Sequence, residues 1–395
     1  MSQNVLVAGA RTPIGKMTGA LSSLSAPELG ARAIRGALDK ACIDAASVDA
    51  VIMGNVVQAG VGPNPARQAA AQAGIPLSRP AITINNLCLS GLQSIIDADR
   101  MIKSGDADIV IAGGMESMTN APYLARGART GFRYGSASFD DSLDRDALTC
   151  AFDGISMGES TDRYMLGSTI DRTSQDAFAA RSHQLSSHAA DTGVFANEIV
   201  PVEVRSRRTS TTIYADEGIR AGTTTESLSK LHPAFLADGT ITAGSASQLS
   251  DGAAAVVLMS KAKARELGIE WLAELGASAF VAGPDTSLLY QPANAILAAL
   301  RKDSDLTIAD LDLIEINEAF AGVVLASMSR LGVDPNKVNI HGGAIALGHP
   351  VGMSGARLAL LLSHSLMRLG KDVGAVSLCG GGGQGNALII RRPPA

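Results

Sequence analysis

One run of elements occurs twice in this 395-residue chain, at a nearly constant spacing. A helical stretch over 27–38 leads through a short polar turn into Val51-Ile52-Met53-Gly54-Asn55. A second helical stretch, opened by Pro292 and carried by Ile296 and Leu300, leads in the same way into Leu313-Ile314-Glu315-Ile316-Asn317. The echo continues with Cys88-Leu89-Ser90-Gly91 against Gly352-Met353-Ser354-Gly355, each opening a helix, and with the strand at 107–114 against that at 373–381. Across these matches the offset stays at roughly 263–268 residues, which chance likeness between helices does not readily produce. The strands are continuously apolar, as strands covered by helices on both faces are. The fold class expected is therefore α/β, built from duplicated αβ halves.

Residues 120–245 break this rhythm. They hold Gly-, Ser-, Thr- and Arg-rich stretches at 127–133 and 205–210, a helical pattern over 173–192 and a strand-like run over 199–204. Such an insertion is a common place to build a ligand clamp. Chemistry of several kinds is excluded by the rest of the chain. Aromatic residues make up only 4% and the formal net charge is −5, so neither a stacking platform nor a basic surface for nucleic acid is expected. The four cysteines, Cys42, Cys88, Cys150 and Cys379, include no CxxC pair, which argues against a zinc knuckle or disulfide scaffold and for a reduced, cytoplasmic setting. No apolar run reaches the roughly 18–20 residues that span a bilayer. The first residues lack a basic leader region and read as a strand, and 391–395 is not a peroxisomal address.

Against that background two thiols and one imidazole stand out. Cys88 follows the strand-like run 81–84 and precedes a helix, where the positive end of the helix dipole favours thiolate. As a core thiol it would be inert and would not need Ser90-Gly91 directly behind it. His349, in Gly348-His349-Pro350, sits on a glycine- and proline-bounded loop, either a surface histidine or part of a packed functional loop. Cys379 ends a strand and is followed by four glycines, more than a turn requires and suited to backbone N–H groups aimed at an oxyanion. Asn317, in Asn317-Glu318-Ala319-Phe320, is either a helix cap or an amide that holds a water or a carbonyl. A nucleophile, a base and a second thiol point to covalent acyl chemistry with separate proton handling. Gly380-Gly381-Gly382-Gly383-Gln384-Gly385 matches a dinucleotide fingerprint by letter but leads into a strand, and Gly9 to Lys16 fails as a phosphate loop.

These motifs resemble the thiolase family over essentially the whole chain. The matching blocks are Arg11-Thr12-Pro13-Ile14-Gly15-Lys16, the Cys88 block, Gly113-Gly114-Met115-Glu116-Ser117-Met118, Gly239-Thr240-Ile241-Thr242-Ala243-Gly244, Asn317-Glu318-Ala319-Phe320, Gly348-His349-Pro350 and Cys379 with its glycines. The resemblance implies a five-layered αβαβα core. Residues 1–119, completed by about 246–272, would form the N-terminal half, 120–245 a CoA-binding loop domain and 273–395 the C-terminal half. It implies reversible cleavage of 3-oxoacyl-CoA to acetyl-CoA and acyl-CoA, or condensation of two acetyl-CoA, through an acyl group on Cys88 activated by His349. Cys379 would be the acid/base; Asn317 (through a water) and His349 would form one oxyanion hole, and the N–H groups of Cys88 and Gly381 the other. Arg220, Ser227 and Ser247 would touch CoA, with Leu148, Met157, Phe235, Ala243 and Leu249 along the pantetheine path. CoA would be a substrate, with no separate cofactor and no metal, and the assembly a homodimer or homotetramer.

The chain departs from the family pattern at Leu89, at Ser156-Met157 and at Ser287-Leu288-Leu289-Tyr290-Gln291-Pro292. These departures suggest a narrowed pocket floor, a reshaped acyl wall and tolerance of acyl chains beyond acetoacetyl. A decarboxylating condenser of the ketoacyl-synthase type would lack the second cysteine, a scaffold without turnover would not need the four site residues, and a cysteine hydrolase would need no carbon acid/base thiol.

Overall fold

The computed structural model describes residues 4–205, 209–303 and 305–394, so the expectations that fall on 1–3, 206–208 and 395 lie outside the described residues. The first half begins with Asn4–Arg11 (β1) and Gly15–Lys16 (β2), then Ala26–Ala41 (α1). Proline at its start and the Glu28 carboxylate, which accepts the N–H of Ser25 at 2.8 Å, begin that helix; Cys42, in the left-handed region at φ 53°, ends it. Ala50–Gly54 (β3), Pro65–Gln72 (α2), Ala81–Ile84 (β4), Ser90–Ser104 (α3) and Ile109–Ser117 (β5) follow.

The intervening region carries two small hairpins, Tyr123–Leu124 (β6) with Asp140–Asp141 (β7) and Val202–Arg205 (β8) with Ser210–Ile213 (β9). Its helices are Met157–Met165 (α4), Arg172–Asp191 (α5) and Thr225–Leu228 (α6). The expected strand over 199–204 is split at Pro201, which has no N–H to give: Ile199 makes an isolated bridge to Arg11, and Val202 onward pairs in the hairpin. Ser250–Ser260 (β10) and Lys261–Glu266 (α7) return the chain to the first half. The second half comprises Ala273–Ala282 (β11), Gln291–Leu300 (α8), Leu313–Ile316 (β12), Ala321–Leu331 (α9), Ala344–Leu347 (α10), Ser354–Leu369 (α11), Val373–Gly380 (β13) and Gln384–Arg391 (β14).

Ten strands form one mixed sheet in the order β12-β13-β14-β11-β1-β10-β5-β3-β4, with β2 on β10. The duplication is visible in it. β3 runs parallel to β5 as β12 runs parallel to β13, and β4 beside β3 is echoed only by a single bridge from Val338 to Ile314. The halves join where β1 meets β11, through Val5–Glu274 and Leu6–Ala273. α3 and α11 pack against each other between the two halves of the sheet, while α1 and α2 cover one outer face and α8 and α9 the other. Three apolar clusters fill the spaces between these layers, so the five layers expected are present.

Arg11, at the end of β1, ties this core to the inserted region. Fully buried, it donates from Nε to Glu198 at 2.9 Å and from Nη1 and Nη2 to Asp216 at 2.7 and 2.9 Å. Burial would lower its proton affinity, but the two carboxylates outweigh burial and hold it above its ordinary value. Truncating one member of a buried ion cluster strands the rest. Arg11→Ala is therefore expected to cost about 3–5 kcal/mol of stability in urea unfolding. A loss below about 1 kcal/mol, the range of an exposed pair, would contradict this account.

Candidate active site

The turn before α3 is wound tightly. Leu87 takes a left-handed φ of 51°, uncommon for a branched side chain and the kind of local strain that clusters at functional turns. Two side chains pin it. Asn85 Oδ1 accepts from Leu87 N at 3.1 Å, while Ser90 Oγ accepts from Asn86 N at 2.8 Å and donates to the Leu87 carbonyl at 2.6 Å. Ser90 thus has a structural reason to follow the cysteine. Cys88 rides on this turn, buried among Val56, Val57, Met118 and Val351.

The expected thiolate is not what the fold favours at rest. α3 begins only at Ser90, so Cys88 lies just outside the first helical turn. Burial pushes the thiol up to about 12, and the negative charge of Glu116 adds to that. Desolvation of the charged form outweighs the helix dipole.

His349 arrives from the other half. Its N–H donates to the Gln248 carbonyl at 3.0 Å, and its ring is buried. Nδ1 lies 2.6 Å from Ser354 Oγ, in the first turn of α11, and that hydroxyl donates to the Pro350 carbonyl at 3.0 Å. A Ser354 hydroxyl that donates to Pro350 accepts from the imidazole, an arrangement that goes with a ring proton on Nδ1 and agrees with the amide donor that faces Nε2. Nε2 then carries a lone pair. Asn317 Nδ2 lies 3.3 Å from it and donates to it. Burial, with the nearby Arg357 charge, brings the imidazole down to about 3, so it is neutral and able to accept a proton. Asn317 is not a helix cap, since α9 begins after Phe320. Its Oδ1 is buried with no partner among the described residues.

Cys379 lies in β13 opposite Gly385 and is fully buried. Burial, and then Cys88, raise its proton affinity above the ordinary thiol value. The glycines after it have separate reasons. Gly382 and Gly383, at φ 76° and 72°, make the turn into β14, while a side chain on Gly381 would overlap Met157. The N–H groups of Cys88 and Gly381 have no acceptor among the hydrogen bonds of the described residues.

A cavity of about 420 Å³ opens onto His349 and Val351. Leu148, Met157, Phe235, Ala243, Ser247 and Leu249 line it, together with Ser156 and Phe320. Arg220 and Ser227 do not. Both are exposed: the Arg220 N–H donates to His183 Nδ1 at 3.2 Å, and Ser227 Oγ donates to the Thr224 carbonyl at 2.7 Å.

The departures from the family pattern resolve unevenly. Leu89 does not line the cavity; it is buried in the central cluster and packs against the α-carbon of Gly380. Ser156 accepts the N–H of Glu159 at 3.1 Å and caps α4. Leu288 and Leu289 pack with Met165, Ile241, Val323 and Cys379, whereas Tyr290 turns outward beneath Arg330. Among the described residues no group of His, Cys, Asp or Glu side chains is placed to hold a metal ion.

Two comparisons bear on this arrangement. Residues 4–262 match the family model for the thiolase N-terminal domain, and 269–392 that for the thiolase C-terminal domain. A probable acetyl-CoA acetyltransferase of Mycolicibacterium smegmatis is 54% identical over 389 residues, 98% of this chain and 100% of that protein. The acetyl-CoA acetyltransferases of Pseudomonas aeruginosa and Escherichia coli K12 are 47% and 44% identical, each over 99% of this chain and 100% of the relative.

Proposed function

The chain belongs to the thiolase family and is an acyltransferase with thiolase activity; from that premise we propose how its residues divide the reaction on 3-oxoacyl-CoA and acetyl-CoA. The observation that supports the division best is the setting of His349, with Ser354 Oγ at Nδ1 and the Asn317 amide at an unprotonated Nε2 beside the cavity. In thiolysis the Cys88 sulfur attacks the 3-keto carbon while its proton passes to Nε2. The C2–C3 bond breaks, and acetyl-CoA leaves as an enolate that takes its proton from Cys379. A CoA thiol then gives its proton to the Cys379 thiolate and accepts the acyl group from Cys88, which recovers its proton from His349. Condensation of two acetyl-CoA runs the same steps backward.

Protonated Nε2, with Asn317 acting through a water, serves one oxyanion, and the N–H groups of Cys88 and Gly381 serve the other. Each such donor is worth about 10²–10³ in rate. The inserted region, 120–245, is the part we assign to holding CoA, with Leu148, Met157, Phe235, Ala243, Ser247 and Leu249 along the pantetheine and Arg220 and Ser227 toward the end outside the cavity. The halves flanking it are 1–119 with about 246–272, and 273–395. We assign the protein to the cytoplasm as a homodimer or homotetramer with no separate cofactor. Among the described residues no helix is long and apolar enough to cross a membrane.

We read the buried segment 287–292 as favouring short acyl chains, in place of the tolerance of longer ones expected from its sequence. Leu288 and Leu289 are only 4% and 2% exposed and fill the space beside Cys379 with Met165 and Ile241. A thiolysis series should give kcat/KM at least about tenfold higher for the four-carbon than for the eight-carbon 3-oxoacyl-CoA, since a filled wall must be displaced by added methylenes. Equal values along the series would overturn the short-chain reading. No thiolysis of any 3-oxoacyl-CoA would overturn the function itself.

A further inference from the structure

Glu116, at the end of β5, is fully buried and belongs to neither the acyl path nor the proton path described above. Its carboxylate has four partners. Oε1 accepts from Asn55 Nδ2 at 2.8 Å and from Val57 N at 3.2 Å; Oε2 accepts from Val56 N at 2.9 Å and from Gly352 N at 3.0 Å. Asn55, Val56 and Val57 follow β3 in the first half, and Val56 and Val57 belong to the same buried apolar cluster as Cys88. Gly352 lies three residues beyond His349, in the second half. One carboxylate therefore clasps the surroundings of the nucleophile to the loop of the base.

The same loop is held from its other side. The Gly352 carbonyl sits where a side chain on Gly54, Gly91 or Gly114 would overlap it. These three glycines stand at the end of β3, within β5 and at the start of α3, and their missing side chains admit the base loop between first-half elements. With backbone packing on one face and Glu116 on the other, Gly352 has one position.

All four partners of Glu116 are donors, and both oxygens accept twice, which a carboxylate can do and a carboxylic acid cannot. Burial pushes the group up to about 7, against the pull of the Val56, Val57 and Gly352 N–H groups, and Asp251 on β10 faces it as a second negative charge. The four donors favour the ionised form. Its charge also acts on Cys88.

We propose that Glu116 is a positioning residue for the thiolase reaction: it holds the loop of His349 in register with the turn of Cys88 and keeps a fixed negative charge beside the nucleophile. This rests on the reading of Cys88 and His349 as nucleophile and base.

The test compares E116Q and E116D with the wild type by kcat, KM and the rate of Cys88 alkylation by iodoacetamide at pH 8, read by mass spectrometry. A glutamine, whichever way it is turned, sets its NH2 against two N–H groups and removes the charge. In E116Q, kcat for thiolysis should fall at least about tenfold, as small displacements of reacting groups do. KM should stay within about twofold, and alkylation should rise several-fold because the thiol ionises more easily beside a neutral group. Loosening alone would expose the buried thiol in E116D as well, so a rise confined to E116Q marks the lost charge. A folded E116Q with unchanged alkylation overturns the electrostatic role. E116D keeps the charge but is one methylene too short to reach all four donors, so its alkylation should match the wild type while kcat falls. Wild-type kcat in E116D overturns the clasp, and that variant decides the matter alone if E116Q does not fold. Wild-type label found on Cys379 and not on Cys88 would instead overturn the assignment of the nucleophile.

Discussion

Incubation with acetyl-CoA should leave one acetyl group on Cys88, and Cys88→Ala should lose that label together with turnover, by on the order of 10⁴-fold or more. The size of the loss follows from the site having one sulfur that can attack an acyl carbon while an imidazole takes its proton. His349 is neutral above about pH 3 and the Cys88 thiol does not ionise until about 12. Between these limits the resting pair is thiol and imidazole, not thiolate and imidazolium. The proton must therefore move as the carbon–sulfur bond forms, which couples reactivity to a bound thioester. The sign of the pH dependence follows. Thiolate grows as pH rises toward the thiol's pKa, so alkylation of free Cys88 should climb about tenfold per pH unit and reach no plateau below pH 9. A plateau near pH 7 would mean a preformed ion pair and would sink this account. Label found on Cys379 alone would reverse the assignment of the two thiols.

How far these roles could be read from the letters depends on the distance over which each was decided. The duplication was legible because each half repeats local signals: a helix, a turn and an apolar strand ending at Asn55 or Asn317. Cys88 and Cys379 stand out in the letters because a thiol between an apolar run and glycine is unusual for an inert core residue. The charge state of Cys88 was misread for a physical reason. A helix start is visible within a few residues, whereas desolvation comes from Val56, Val57, Met118 and Val351, brought from three other segments. Leu89 was misplaced likewise, since its neighbour Gly380 lies in the other half of the chain. Ser354 was within reach: it stands five residues after His349, in the turn that an α-helix opens behind a proline, and its hydroxyl meets the imidazole at Nδ1. The clasp at Glu116 was not within reach. Its four donors come from 55–57 and 352, and only the packed halves bring them to one carboxylate.

Cys379→Ala should separate the two half-reactions. Self-acylation at Cys88 should persist within about fivefold, while condensation and thiolysis should fall by about 10²–10⁴, the range of a lost general acid–base group. The argument begins from burial. Cys379 is 1% exposed, and burial, followed by the neighbouring Cys88, makes its ionisation costly. Two thiolates side by side in such a site are mutually unfavourable. Once Cys88 carries an acyl group it can no longer hold a negative charge, and one obstacle to ionising Cys379 is gone. The acyl group thus licenses the proton transfer, which orders the steps: acylation first, then removal of a proton from the methyl of the second acetyl-CoA. A readout specific to that proton is exchange of the acetyl methyl with deuterated water. The wild type should catalyse it only after Cys88 is acylated, and Cys379→Ala should not catalyse it at all. Exchange that survives the substitution would assign the proton to another group, and equal loss of acylation and condensation would show that the two thiols act as one unit rather than in sequence.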